Sequence, residues 1–289
     1  MNAAGAQHDV DGDVYVSPRH LASTTGTGGP ALAPLLGLGW GSRHDDLGNM
    51  YVDAPDQRVR VGYLPEGDDD GLWRINAYKD PFGPPAWGVC FNDRVPTEFV
   101  HAFTAALATA YEQGPDAYLA APVPRSEDRE PFLAVVPLLK HGWTLDRRPL
   151  DGVFEVAPPD GQAGLEFTTG TLDAEAELTT RDARWQLWAG TSVDRPVWYA
   201  TASTHTPVVL LRAVTECVAD PAPLARWRKD ALSYIDGMAT LTPILPPSPP
   251  APTPLDVQRI SARRPTALPP ASVPRWSSAS RPALPGPRR

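Results

Sequence analysis

The chain is short of the residues that build reactive centres. Its 289 residues include two cysteines, Cys90 and Cys217, with no C-x-x-C pair and no cluster at metal-ligand spacing. That excludes a zinc or disulfide framework and predicts two reduced thiols, as in a cytoplasmic protein. None of the six histidines falls in an H-x-x-x-H or H-E-x-x-H pattern. There is no G-x-S-x-G nucleophile elbow, no G-x-x-x-x-G-K-[ST] loop and no G-x-G-x-x-G between a strand and a helix. Gly26-Thr27-Gly28-Gly29-Pro30 is glycine-rich but has no lysine to meet a phosphate. No apolar run approaches the roughly 20 residues of a membrane span. The first residues lack the basic start and apolar stretch of a secretory signal. These absences predict no catalytic residue, no metal, no cofactor and no membrane contact.

Lysine is scarce too, at three against 23 arginines, and charge is unevenly placed. From Leu255 onward seven arginines face the single acid Asp256, a charge of +6, so residues 1–254 carry −14 of the total −8. An acidic body repels nucleic-acid phosphate and anionic lipid, which leaves the tail as the segment for any nucleic-acid contact. Arg263 and Arg264 are the candidates there, for weak, salt-sensitive binding.

What the chain has in abundance is repetition. Ala33-Pro34-Leu35-Leu36-Gly37-Leu38-Gly39-Trp40 returns 103 residues later as Val136-Pro137-Leu138-Leu139-Lys140-His141-Gly142-Trp143. Pro96-Thr97-Glu98-Phe99 and the following run return 111 residues later, from Pro207. Trp73 pairs with Trp185 and Trp87 with Trp198. A period of this size indicates a duplicated domain. The shared positions are apolar, glycine or proline, so architecture is duplicated while no acid, base or nucleophile is.

Each unit opens with a short strand (Val14–Ser17, Tyr118–Ala121) and a short helix ending near Gly-Trp (Ala31–Leu36, Pro131–Lys140). Alternating strands follow. Val59, Val61 and Tyr63, then Trp73, Ile75 and Ala77, then Trp87, Val89 and Phe91 mark those of the first unit. Leu165–Phe167, Trp185–Trp188 and Val197–Tyr199 mark those of the second. An amphipathic helix closes each unit, Thr97–Tyr111 with Thr97 as cap and Pro207–Val218. The growing offset places about eight extra residues in a polar loop between Phe167 and Trp185. Leu224, Trp227, Ala231, Ile235 and Met238 suggest a further helix acting as a clasp. Beyond Thr242 the composition is Pro-, Ser- and Arg-rich, which predicts disorder.

The expected fold is therefore α+β: two tandem copies of an antiparallel β-meander, each with a packed C-terminal helix, plus a disordered Pro/Arg-rich tail. The boundaries are 1–12 for a disordered N-terminus, 13–115 and 116–241 for the repeats, and 242–289 for the tail. The paired tryptophans read as core. Trp188 and Tyr199, beside core positions in alternating strands, read as outward-facing aromatics and candidate binding residues. His205, at a strand-to-helix junction, is a third candidate, although its copy in the first unit is Arg94. Asp68-Asp69-Asp70 lacks calcium-loop spacing and reads as a solvated turn.

Val14-Tyr15-Val16-Ser17-Pro18-Arg19-His20-Leu21-Ala22 resembles the opening of an actinobacterial family, common in Streptomyces, catalogued as domain of unknown function 317. Arg195-Pro196-Val197-Trp198-Tyr199-Ala200 and His205-Thr206-Pro207 resemble it as well, so the likeness covers roughly 13–220 as two tandem copies. The first unit departs from it with Trp87-Gly88 for Trp-Tyr and Arg94-Val95-Pro96 for His-Thr-Pro. The resemblance implies a fold and no activity. The expected function is a non-catalytic cytoplasmic module binding a protein or peptide through the sheet face or the cleft between repeats. The alternatives are a nucleic-acid-associated protein using the tail, and an enzyme joining His205 to Tyr199 and an acid.

Overall fold

The computed structural model describes residues 13–67, 70–119, 130–148, 152–180, 182–228 and 237–245. The expected N-terminal segment 1–12, and Arg263 and Arg264 with the rest of residues 246–289, lie outside the described residues.

The first half contains α1 (Gly29–Gly37), the strands β2 (Gly41–His44), β3 (Met50–Asp53), β4 (Val59–Tyr63), β5 (Trp73–Ala77) and β6 (Trp87–Phe91), and α2 (Thr97–Gln113). After a single helical turn, α3 (Pro115–Tyr118), the second half repeats the order. It runs α4 (Glu130–Lys140), β7 (Thr144–Arg148), β8 (Val153–Ala157), β9 (Ala163–Thr168), α5 (Ala176–Thr179), β10 (Trp185–Gly190), β11 (Pro196–Ala202) and α6 (Val208–Ala219). Each half is a five-stranded antiparallel meander.

The halves are not separate bodies. Among the described residues the ten strands form one sheet, ordered β2-β3-β4-β5-β6-β11-β10-β9-β8-β7. The last strand of each meander pairs with the last strand of the other, Ala200 opposite Phe91, Thr201 opposite Cys90 and Ala202 opposite Val89. Cys90 and Thr201 are themselves copies at the 111-residue offset. An approximate two-fold axis therefore passes through this pair, and the central strands close each other's edges.

One face of the sheet carries the helices. α1 packs on α2, α4 on α6, and α2 on α6 across the axis. Helix-facing side chains are the alternating apolar set expected from sequence. Trp73, Ile75, Trp87, Phe91, Trp185, Leu187 and Trp198 are all buried. Phe103 meets Trp87 and Phe91 edge-on, and Phe99 lies against Trp198. Duplication extends to single hydrogen bonds. Thr104 Oγ1 donates to Ala31 O at 2.6 Å, and its copy Thr215 Oγ1 donates to Ala134 O at 2.6 Å. The Trp87 indole N–H donates to Tyr118 O and the Trp198 indole N–H to His20 O, each at 2.8 Å. Gly39 and Gly142 end their helices at φ 77° and 84°, a left-handed stop that lets the next tryptophan turn back to the core.

Several expectations are corrected. Tyr118 lies in α3, not in a strand, because its main-chain oxygen and its ring are drawn into the core beside Trp87 and Tyr111. Thr97 is the first helical residue and Pro96 the cap, with no side-chain capping bond; the Thr97 hydroxyl faces Thr24 and Thr25 instead. Leu224–Trp227, expected to begin a helix, is strand β12, while 229–236 fall outside the described residues. β12 and β13 (Thr240–Pro243) flank β1 (Asp13–Ser17) in a separate three-stranded sheet. A clasp exists, but it is built of strands and draws the start of the chain against segments that follow α6. The boundary set at 242 falls inside β13. Arg226 secures this clasp, donating from two nitrogens to the Glu98 carboxylate at 2.7 and 2.8 Å.

Candidate functional site

Among the described residues the sheet's other face carries only the single turn α5 (Ala176–Thr179) and no layer of long helices, and its side chains are the alternate set. Successive registers trace one cross-strand line over all ten strands: Asp146, Glu155, Glu166, Gln186, Thr201, Cys90, Arg74, Gly62, Tyr51 and Arg43. The two-fold relates Arg43 to Asp146, Tyr51 to Glu155, Gly62 to Glu166 and Arg74 to Gln186. One arm of this line is acidic and the other carries arginine, with neutral residues at the seam.

Two loops reach over the seam, one from each half, and they are copies of each other. The β4–β5 loop, near Asp70, covers Tyr199, whose hydroxyl donates to Asp70 Oδ1 at 2.7 Å. The β9–β10 loop contains the extra residues, which fold into α5 and set Leu178 over Gly88. Gly88 is the copy of Tyr199, and a side chain there has no room. A Cβ would sit 2.6 Å from Leu178 Cδ2 and 2.7 Å from Asn76 Oδ1.

The longer loop is pinned by a buried carboxylate. Both Glu177 oxygens accept from Thr204 N, at 3.1 and 3.2 Å, and one accepts from Thr204 Oγ1 at 2.8 Å. Arg184 donates from Nε to Thr204 Oγ1 and from its terminal nitrogens to the main-chain oxygens of Thr168 and Gly170. Burial lowers the Arg184 pKa and the nearby Glu177 charge opposes that shift. A polar insertion is thus held as a wall, because its buried polar groups have partners.

Between the walls lies a recess of about 300 Å³. Arg74, Asn76, Cys90, Tyr199 and Thr201 line its floor, and Asp70, Glu177 and Thr180 its sides. It offers a guanidinium, an amide, hydroxyls, a thiol and two carboxylates within one small volume. That suits recognition of a polar group carrying both donors and acceptors. Among the described residues no group of three or more His, Cys, Asp or Glu side chains is placed to hold a metal ion. No helix among them is long and apolar enough to cross a membrane.

The sequence-selected residues separate. Trp188 and Tyr199 do point to the face away from the helices, as alternation requires, yet both are buried at 4 % exposure. Trp188 lies flat over Gly164, and its indole nitrogen is buried with no partner among the described residues. Tyr199 enters the recess. His205 is exposed and lines a different groove, of about 680 Å³, at the β11–α6 junction. The Tyr199 hydroxyl is bonded to Asp70, while His205 lines the other groove. Asp70, Arg74, Asn76, Cys90, Glu177 and Thr201 were missed. For Arg74, Asn76, Cys90 and Thr201 the signal was the polar half of an alternating strand, which becomes a site only when the register is known; Asp70 and Glu177 lie in the loops between strands and carried no such signal.

Two stretches of the chain match one family. Residues 53–112 and 157–224 each match SPDY, described as a domain of unknown function (DUF317). The matched stretches cover the same elements in each half, β4-β5-β6-α2 and β9-β10-β11-α6, so the two matches stand in tandem. No curated protein matches the chain, and no solved structure does.

Proposed function

We propose that this chain is a non-catalytic interaction module built from two copies of that family's domain, and that it binds a protein or peptide segment across the seam of its open sheet face. The observation that carries this reading is the recess. Equivalent loops from the two halves wall it, and its floor is polar where the duplicated helix-facing positions are apolar. A ligand lying along the cross-strand line would meet arginine on one side and carboxylates on the other, which favours a segment with charges of both signs in fixed order. A cytoplasmic setting accords with the two free cysteines.

The test is a displayed-peptide selection against the full chain, followed by titration of the winning peptides against variants. Arg74→Glu and Tyr199→Phe should weaken binding at least about tenfold, the effect of losing one charged or buried hydrogen bond. Removal of residues 246–289 should leave it unchanged. Binding that ignores both substitutions defeats the seam. Binding that disappears with the tail transfers the function to the arginine-rich segment and to a nucleic-acid partner.

A further inference from the structure

The hairpin between β5 and β6 places a phenylalanine wholly in solvent. Phe82 is 98 % exposed. The loop holding it is ordered by specific bonds. Asp80 accepts from Phe82 N at 3.1 Å through its side chain and from Gly83 N at 2.9 Å through its carbonyl. Arg60 Nη2 donates to Pro81 O at 2.8 Å while its guanidinium covers the Tyr78 ring. Pro81, Pro84 and Pro85 fix their own φ angles. Nor does the fold require an aromatic there. The equivalent hairpin of the second half, Thr191-Ser192-Val193-Asp194-Arg195, has none. A large apolar side chain presented on a stiff loop has lost little entropy still to lose on docking, the property of an interface anchor.

The groove of about 680 Å³ described at the β11–α6 junction begins on this same loop. Its apolar walls are Pro84, Pro85, Pro115, Leu119 and Leu178, and its charged lining is Lys79 with the carboxylates of Asp80, Asp116 and Glu177. A projecting ring thus stands beside a cavity lined by proline and leucine, on one contiguous surface. A projection and a cavity on one surface can satisfy each other under a two-fold axis, each copy supplying the projection for the other's cavity. Across that axis the Lys79 ammonium of each copy is the group that can pair with a carboxylate of the other's groove. We propose that the full chain self-associates through this surface, with each Phe82 ring seated in the groove of a second copy. This goes beyond peptide binding at the seam and uses none of the recess-floor residues.

Sedimentation velocity of the full chain over roughly 1 to 500 μM would test it. The wild-type chain should show a reversible monomer–dimer equilibrium. Phe82→Ala removes both rings from a dimer and should weaken it on the order of 10²-fold, with folding unaffected because the side chain touches only solvent. Ala174→Trp, placed on the exposed wall of the groove, should weaken it by obstructing the cavity. An equal mixture of the two variants should recover a heterodimer of intermediate affinity, since one ring and one open groove still match. A wild-type chain that stays monomeric throughout, or either variant dimerising like wild type, overturns the proposal.

Discussion

The two halves of the sheet are alike on one face and opposed on the other. Toward the helices, Trp73, Trp87, Phe99 and Thr104 have working copies in Trp185, Trp198, Leu210 and Thr215, all buried. On the open face, Arg43 and Arg74 stand where Asp146 and Gln186 stand, and Gly88 where Tyr199 stands. Burial explains the contrast. A core position must keep its volume, since cavities and overpacking both destabilise, whereas a solvent-facing position is held only by what it contacts. The two halves therefore share a symmetric scaffold and present an asymmetric surface, and the seam is where the two surface chemistries meet.

The largest expected effect tests the symmetric face. Trp87→Ala and Trp198→Ala should each lower unfolding free energy by about 3–5 kcal/mol in urea titrations, because each empties a fully buried site. Markedly unequal losses would break the equivalence. Next comes an asymmetry of the clasp. Glu98→Ala leaves the buried Arg226 charge without its carboxylate and should destabilise by about 3 kcal/mol, while its copy position, Val209→Ala, should change stability by less than about 0.5 kcal/mol.

Gly164 sharpens the comparison on the open face. Its copy in the first half is Arg60, which has space, but at Gly164 a Cβ would lie 2.6 Å from the Trp188 indole nitrogen. Gly164→Ala should cost about 1–3 kcal/mol, read from the same titrations.

A smaller effect concerns pH. Burial pulls the His20 pKa below its ordinary 6.5 and outweighs Asp160, whose carboxylate lies 3.1 Å away and pulls upward. The fold thus favours neutral His20. The unfolded chain binds the proton more readily, so this stability is whole above pH 6.5 and declines as pH falls below it. Melting temperature from about pH 7.5 to about 5 should fall less steeply in His20→Gln than in wild type. Smallest of all, Arg74→Gln installs the second half's residue in the first and should alter stability by less than about 0.5 kcal/mol. Its consequence should appear in ligand binding instead.

Much of the scaffold was legible from residues alone. Period-2 alternation located β4, β5, β6, β9, β10 and β11, and helical spacing located α2 and α6, because core burial imposes a strong pattern on each. β2 carried no such signal, as all four of its residues are exposed. The strand β12 was mistaken for helix because Leu224 and Trp227 also fit a helical spacing; pairing with β1 overrode it. Of the site, Tyr199 was found through its facing, but its burial was not. Asp70 reads from its neighbours as a solvated turn residue, and its hydroxyl partner lies 129 positions away.

Local order along the chain thus determined the repeat, the strands and helices with a buried stripe, and the placing of aromatic pairs in the core. Each depends on a side chain's own hydrophobicity and its near neighbours. Only the tertiary structure decided that the two meanders share one sheet, that a polar insertion folds over the neighbouring half, and that opposite charges end on opposite arms. Those outcomes depend on strand pairing between residues more than a hundred positions apart, where register is set by the packing of whole layers and not by any local pattern.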